Sequence, residues 1–311
     1  MMKNIKIALL DAKTLGDDIS LNLFNEFGDV KIYQTTTKEQ TVQNIGNANI
    51  VITNKVVIDK HVLDNTNIKL ICVAATGMNN VDLEYAKNKN IIVKNVVGYS
   101  SASVTQLTFS IALAFIQKVS FYDNYGKNSW CDSDIFTNIS KPFYELEGKT
   151  WGIIGFGNIG KRVSVIAEAF GCNIQYYSTS SMNKNTNYNS VDLNTLLSTS
   201  NIISVHSPLN KQTDNLINKT NIHMIKDNTI LLNLGRGGIV NEYDIATELD
   251  KREVYYGTDV VSKEPIEKKS PLLNIVNKDQ LIITPHIAWA SIESRNKLLS
   301  LIKVNINEFI V

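Results

Sequence analysis

Three side chains in the last third of the chain have the types needed to hold a carboxylate and move a proton. Arg236 lies in LLNLGRGGIVNE, Glu264 in TDVVSKEP and His286 in TPHIAWAS. Arginine presents a planar, permanently charged fork that grips a carboxylate through two parallel hydrogen bonds, a geometry lysine does not reproduce. Histidine exchanges a proton near neutral pH, so it can protonate a ketone oxygen in one direction and act as base on the alcohol in the other. A glutamate against its second ring nitrogen would fix the tautomer and favour the imidazolium. Each residue alone has a plainer reading: a loop charge, a solvated acid before a turn proline, a capped strand end. Together they suit a carboxylate-bearing substrate whose carbonyl takes a proton while hydride reaches its carbon.

A hydride carrier needs a binding loop, and GIIGFGNIG supplies the pattern for one. Gly155, Gly157 and Gly160 follow an apolar strand and precede KRVSVIAEAFG. Such glycines allow a tight turn and close backbone approach to a diphosphate, and the helix N-terminus at Asn158 and Ile159 offers N–H groups to the anion. The following strand normally ends in an acid that holds a ribose 2′-hydroxyl. Here it ends in Ser178, Thr179 and Ser180, with Lys184 nearby. Hydroxyls and a lysine do not repel a 2′-phosphate, so the expectation tilts towards NADP(H), with NAD(H) as the alternative. The next strand ends in His206-Ser207-Pro208; counted third, it flanks the adenine side, where His206 and Pro208 would wall the cofactor. Asp259 ends the fifth strand and could accept from a nicotinamide carboxamide. Thr76 and Gly77, after a strand nearer the N-terminus, could turn N–H groups towards a substrate carboxylate. Asn54 and Lys55 end another strand and face the expected cleft, where Asn54 could contact the substrate. His61 and His223 sit in polar helical surroundings and read as surface residues.

These residues require parallel strands to deliver them. Short β-rich runs alternate with helical stretches along most of the chain, the pattern of α/β architecture. IKIALLD, VKIYQ, IVITNK, IKLICVA and IIVKNV make an open sheet of about five strands. WGIIGF, NIQYY, IISVH, TILLNLG, VYYGTDV and LIITPH make six, enough for a complete Rossmann domain. The helical pattern SIESRNKLLSLIKVNINEFI then returns to the first domain. The expected division is 1–99 plus 287–311 for a flavodoxin-like substrate domain and 100–286 for the cofactor domain. Two connections between the domains permit a cleft that closes by a hinge.

Composition narrows the partners. The chain has 311 residues, 43% hydrophobic and 20% charged, with a net charge of +1. That balance gives no general attraction to nucleic acid or anionic membrane. The longest apolar run, LTFSIALAFI, is too short to span a bilayer, and no secretory signal is read at the start. Cys72, Cys131 and Cys172 are odd in number and lack metal-ligand spacing, so they read as reduced thiols in a cytoplasmic protein, with no metal.

Taken in order, GKTWGIIGFGNIGKRV, HSPLNKQTDNLIN, LLNLGRGGIVNE, TDVVSKEP and TPHIAWAS resemble the D-isomer-specific 2-hydroxyacid dehydrogenase family, over nearly the whole chain. The resemblance implies that Arg236, Glu264 and His286 match the family's catalytic Arg, Glu and His, Thr76 and Gly77 its backbone carboxylate site, and Asp259 its nicotinamide contact. VTQLT, HIAW and TNKVVID are similar to the glycerate dehydrogenase and hydroxypyruvate reductase branch, which implies hydroxypyruvate or glyoxylate as substrate. Family members are commonly homodimers, and the segment from Ser101 to Pro142 matches the part that usually pairs subunits. A corepressor of related architecture senses nicotinamide cofactors without physiological turnover and is the alternative. Formate enzymes of this architecture carry Gln where this chain has Glu264, which argues against formate.

Overall fold

The computed structural model describes residues 5–180 and 187–311. The chain divides into two compact units. One comprises the chain up to Ser100 together with Trp289–Val311; the other is Ser101–Ala288.

The first unit is built on β1 (Lys6–Leu9), β2 (Asp29–Ile32), β3 (Ile50–Thr53), β4 (Leu70–Val73) and β5 (Ile92–Lys94). They pair in parallel in the order β2-β1-β3-β4-β5, the flavodoxin-type order. A parallel sheet must be covered on both faces, and the strand residues divide accordingly. Ile7, Leu9, Ile50, Ile52 and Leu70 join one apolar cluster; their neighbours Ala8, Leu10, Val51 and Ile71 join another. The crossover helices α1 (Thr41–Ile45), α2 (Lys60–Asp64) and α3 (Leu83–Asn88) are short. Asp59 and Asp82 start the last two by accepting from the N–H groups of Val62 and Tyr85.

The second unit opens with α4 (Ser101–Gln117) and α5 (Val119–Asn128). Phe109, Ile111, Ala112 and Phe115 of α4 are buried in one core cluster with Trp151, Ile153 and Leu232 of the sheet. The sheet comes next: β6 (Thr150–Ile154), β7 (Asn173–Tyr177), β8 (Asn189–Ser190), β9 (Ile202–Val205), β10 (Ile230–Asn233), β11 (Tyr255–Thr258) and β12 (Leu281–Ile283). Between them lie α6 (Asn158–Ala169), α7 (Leu193–Thr199) and α8 (Glu242–Lys251). The sheet has seven strands in the order β12-β11-β10-β9-β6-β7-β8, with every pair parallel.

That order corrects the strand count read from the sequence. The strand ending at His206 is not third in the sheet. The third place, beyond β7, belongs to β8, which is only Asn189–Ser190 and carries no apolar signal. β9 pairs instead with β6 and β10, so His206 lies on the opposite side of β6 from the adenine edge.

The final helix, α9 (Ile292–Ile310), belongs to the first unit. Leu298, Leu299, Ile302 and Ile306 enter the cluster formed by β1, β3 and β4. Arg295 fixes its start: its guanidinium donates to both oxygens of Asp18 and to the Leu15 carbonyl. Among the described residues no single helix is long and apolar enough to cross a membrane.

Candidate active site

The glycine turn is shaped for an anion. Gly155 has φ +91°, and a Cβ there would overlap Ser207 Oγ, so the turn after β6 lies directly against the turn after β9. Gly160, in the first turn of α6, passes too close to the Gly155 carbonyl to carry a side chain. At Gly157 the situation reverses: a Cβ would meet nothing within 4 Å. Gly157 is also the N-cap of α6 and supplies no capping side chain. The helix's first bond from within runs from Lys161 N to Gly157 O, 2.9 Å. The N–H groups of Asn158, Ile159 and Gly160 therefore have no acceptor among the described residues. A twelve-residue helix with open donors and empty space before them fits a dinucleotide diphosphate.

Ser178 and Thr179 come directly after β7, both half-buried, one strand from that turn. Lys184 lies outside the described residues. His206 is partly exposed as a residue, yet both ring nitrogens are shielded from solvent and have no partner among the described residues. That burial pushes its pKa down to about 3, so the ring is neutral. Pro208, next along the turn, is exposed and accepts from the Thr213 hydroxyl through its carbonyl at 2.6 Å.

The three residues with acid–base and anion chemistry lie beyond the carboxyl ends of β10, β11 and β12, which are neighbours in the sheet. His286 Nδ1 contacts Glu264 Oε2 at 2.6 Å. A carboxylate can only accept, so Nδ1 carries the proton and Nε2 is turned to other partners. The Glu264 side chain is anchored in turn by Val261 N, 3.3 Å from Oε1. Arg236 belongs to the turn after β10, closed by Asn233 Nδ2, which donates to the Arg236 carbonyl at 2.9 Å. A Cβ at Gly237 would overlap the Val261 carbonyl, so this turn packs directly on the one leading to Glu264. Arg236 Nη1 donates to the Gly235 carbonyl at 2.8 Å, and the guanidinium pairs with no carboxylate among the described residues.

Asp259 has a structural role that sequence reasoning misses. It is 2% exposed. Its Oδ1 accepts from the Thr284 hydroxyl at 2.6 Å and from Ile287 N at 2.9 Å; its Oδ2 accepts from Ala288 N at 2.8 Å. Its carbonyl accepts from His286 N at 2.9 Å. His286 itself has φ +55°, a left-handed conformation that L residues adopt only when held. Asp259 thus grips the backbone on which the imidazole stands, and one lone pair on Oδ2 remains for an outside donor. Burial raises its pKa, opposed by the Thr284 hydroxyl and the two backbone N–H groups.

In the first unit the Thr76–Gly77 loop comes after β4. The Thr76 hydroxyl donates to the Val96 carbonyl at 2.9 Å, and Asn95 Nδ2 donates to the Thr76 carbonyl at 2.6 Å. Neither the Thr76 nor the Gly77 N–H is taken by an acceptor within that unit. Asn54 departs from its sequence-based reading as a substrate contact. It is 4% exposed and its amide donates to Thr14 Oγ1 at 3.1 Å, so its side chain braces the loop. Lys55 beside it is the exposed residue, and His61 and His223 are exposed as well.

The chain is similar to known proteins over most of its length. Residues 109–288 match the family model described as D-isomer specific 2-hydroxyacid dehydrogenase, NAD binding domain. A hydroxypyruvate reductase of Blautia hydrogenotrophica is 36% identical, over 98% of this chain and 97% of its own length. A glycerate dehydrogenase of Methylorubrum extorquens is 33% identical, over 98% and 96%. The crystal structure of D-lactate dehydrogenase from Aquifex aeolicus, complexed with NAD and lactic acid, aligns with a TM-score of 0.83 at 25% identity, covering 99% of this chain and 95% of that one. A glycine turn open to a diphosphate, a carboxylate-backed histidine and a family model over most of the second unit lead to one conclusion: the chain belongs to the D-isomer specific 2-hydroxyacid dehydrogenases, nicotinamide-dependent oxidoreductases of small 2-hydroxy and 2-oxo acids.

Proposed function

We propose that this chain interconverts small 2-oxo acids and D-2-hydroxy acids, with hydroxypyruvate or glyoxylate as the preferred oxo acid. The nicotinamide ring, when bound, supplies or takes the hydride at C2. Arg236 grips the substrate carboxylate; Thr76 and Gly77, in the first unit, offer N–H groups of a kind that suits a carboxylate. His286 delivers a proton from Nε2 to the C2 oxygen during reduction and removes it during oxidation. Glu264 holds Nδ1 and stabilises the charged ring. Asp259 keeps the histidine backbone in place and offers its remaining lone pair to the carboxamide. The observation that carries the reading is the 2.6 Å contact between His286 and Glu264. The names of the two relatives, hydroxypyruvate reductase and glycerate dehydrogenase, support the choice of substrate.

Ser178 in place of an acid supports NADP(H) over NAD(H), since no carboxylate there repels a 2′-phosphate. The test is steady-state reduction of pyruvate, glyoxylate, hydroxypyruvate and 2-oxobutyrate, each with NADH and NADPH. Hydroxypyruvate or glyoxylate with NADPH should give the highest kcat/KM, and Ser178→Asp should move the NADPH-to-NADH ratio down by roughly tenfold or more through like-charge repulsion. Binding of NADH or NADPH without turnover of any of the four acids would make the chain a sensor instead.

The homodimer is part of the same proposal. Trp130, Ile135, Phe136, Ile139 and Phe143 are all exposed within one short segment, Phe136 at 88% and Ile139 at 74%. Five exposed large apolar side chains in one short segment favour burial against a second copy. Sedimentation should show a dimer, and Phe136→Asp with Ile139→Asp should shift it to monomer; a monomeric wild type sinks the idea.

A further inference from the structure

The glutamate that backs His286 stands on chain that the core does little to hold. β11 ends at Thr258, and Ser262, Lys263, Glu264 and Pro265 are all exposed. Exposed loops with few apolar contacts open readily. A carboxylate that orients an imidazole must nevertheless stay within hydrogen-bond reach of it.

The peptide joining Val261 to Ser262 meets this need. Its carbonyl packs on Gly237, where a Cβ would overlap both the Val261 carbonyl and Ser262 N. Its N–H is taken by a side chain: Ser262 N donates to Glu242 Oε1 at 2.5 Å. A peptide unit is planar, so holding its carbonyl and its N–H fixes its orientation. Val261, at one end of that plane, donates its own N–H to Glu264 Oε1 at 3.3 Å, and Glu264 Oε2 contacts His286 Nδ1 at 2.6 Å.

Glu242 itself stands on a firm base. It is the first residue of α8, and the N-cap Asn241 accepts from Tyr243 N and Asp244 N, each at 3.1 Å. Asn241 N donates in turn to the Ile217 carbonyl at 2.8 Å. An acid in the first turn suits the helix dipole wherever its side chain points. The dipole does not account for a side chain that meets a backbone N–H twenty residues further along the chain.

We infer that Glu242 is a positioning residue for the proposed reaction: by accepting from Ser262 N it holds the loop from which Glu264 orients His286. The inference rests on the functional reading above and adds to it a residue that touches neither substrate nor cofactor.

The experiment measures reduction of the 2-oxo acid that the wild type turns over fastest, in Glu242→Ala, Glu242→Gln, Glu242→Asp, Glu264→Ala and the double variant Glu242→Ala with Glu264→Ala, each checked for folding by circular dichroism. Glu242→Ala should lower kcat by about 3- to 10-fold, the size of one net hydrogen bond, while KM for the oxo acid stays within about twofold. Glu242→Gln should stay within about twofold of wild type, because its amide oxygen still accepts from Ser262 N. Glu242→Asp keeps the charge but is one methylene short, so it should resemble Glu242→Ala. With Glu264 already removed the loop has no carboxylate to place, and Glu242→Ala should then cost less than about twofold more. Wild-type kcat in Glu242→Ala, or the same loss with and without Glu264, overturns the positioning role and leaves the dehydrogenase reading standing. So does a poor Glu242→Gln beside a sound Glu242→Asp, which would assign the effect to charge. A wild type that reduces no 2-oxo acid, or wild-type kcat in Glu264→Ala, overturns the functional reading itself.

Discussion

His286→Ala is expected to lower kcat for 2-oxo acid reduction by about 10²- to 10⁴-fold, the usual contribution of a positioned general acid. The dissociation constant for the nicotinamide cofactor, read by fluorescence titration, should stay within about twofold, since the glycine turn and α6 are untouched. The variant is a clean probe because Asp259 holds the local backbone independently of the imidazole. Its carbonyl takes His286 N, and its carboxylate takes Ile287 N and Ala288 N. An alanine at φ +55° remains strained, but those three bonds survive the substitution. Glu264→Gln should fall between wild type and His286→Ala, because an amide carbonyl still accepts from Nδ1 but no longer balances a charged ring. Wild-type kcat in His286→Ala would remove the histidine from the chemistry and return the proton to an unidentified group.

Much of this site is legible from residue order because it depends on strand ends. Apolar runs mark the long strands, and in a parallel sheet the residues just past each carboxyl end line the ligand-binding edge. Gly155, Arg236, Glu264 and His286 each lie within a few residues of such a run. The features that escape are set by tertiary geometry. β8 is two polar residues long and has no periodicity to read, so a count of apolar runs slips by one and puts His206 on the wrong side of β6. The ring nitrogens of His206 have no partner among the described residues, a property invisible in its residue type. Asp259 grips residues 25 to 29 positions away, and no spacing rule predicts such a clamp. Asn54 reads as a strand-end amide available to a substrate; the chain instead turns its N–H to the Asp11 carboxylate and its amide to Thr14, and leaves Lys55 outside. Helix α5 is hidden because VSFYDNYGKN mixes aromatic, polar and glycine residues, none a strong helix former except its lysine.

Arg236→Ala is the second large effect. Removing one partner of a hydrogen-bonded charge pair costs about 2–5 kcal/mol. At about 1.4 kcal/mol per decade, kcat/KM for the 2-oxo acid should fall by roughly 30-fold to several thousand-fold. The turn itself should persist, since Asn233 holds it through backbone groups: its amide donates to the residue 236 carbonyl and its Oδ1 accepts from Gly235 N at 3.2 Å. Arg236→Lys separates charge from geometry. Lysine keeps the positive charge but lacks the planar fork, so it should recover only part of the loss. Full recovery would mean that the carboxylate feels a point charge alone. No loss in Arg236→Ala would be more damaging. It would leave an arginine with no carboxylate partner among the described residues and no substrate to explain it, and the assignment of the anion site to the turn after β10 would fail.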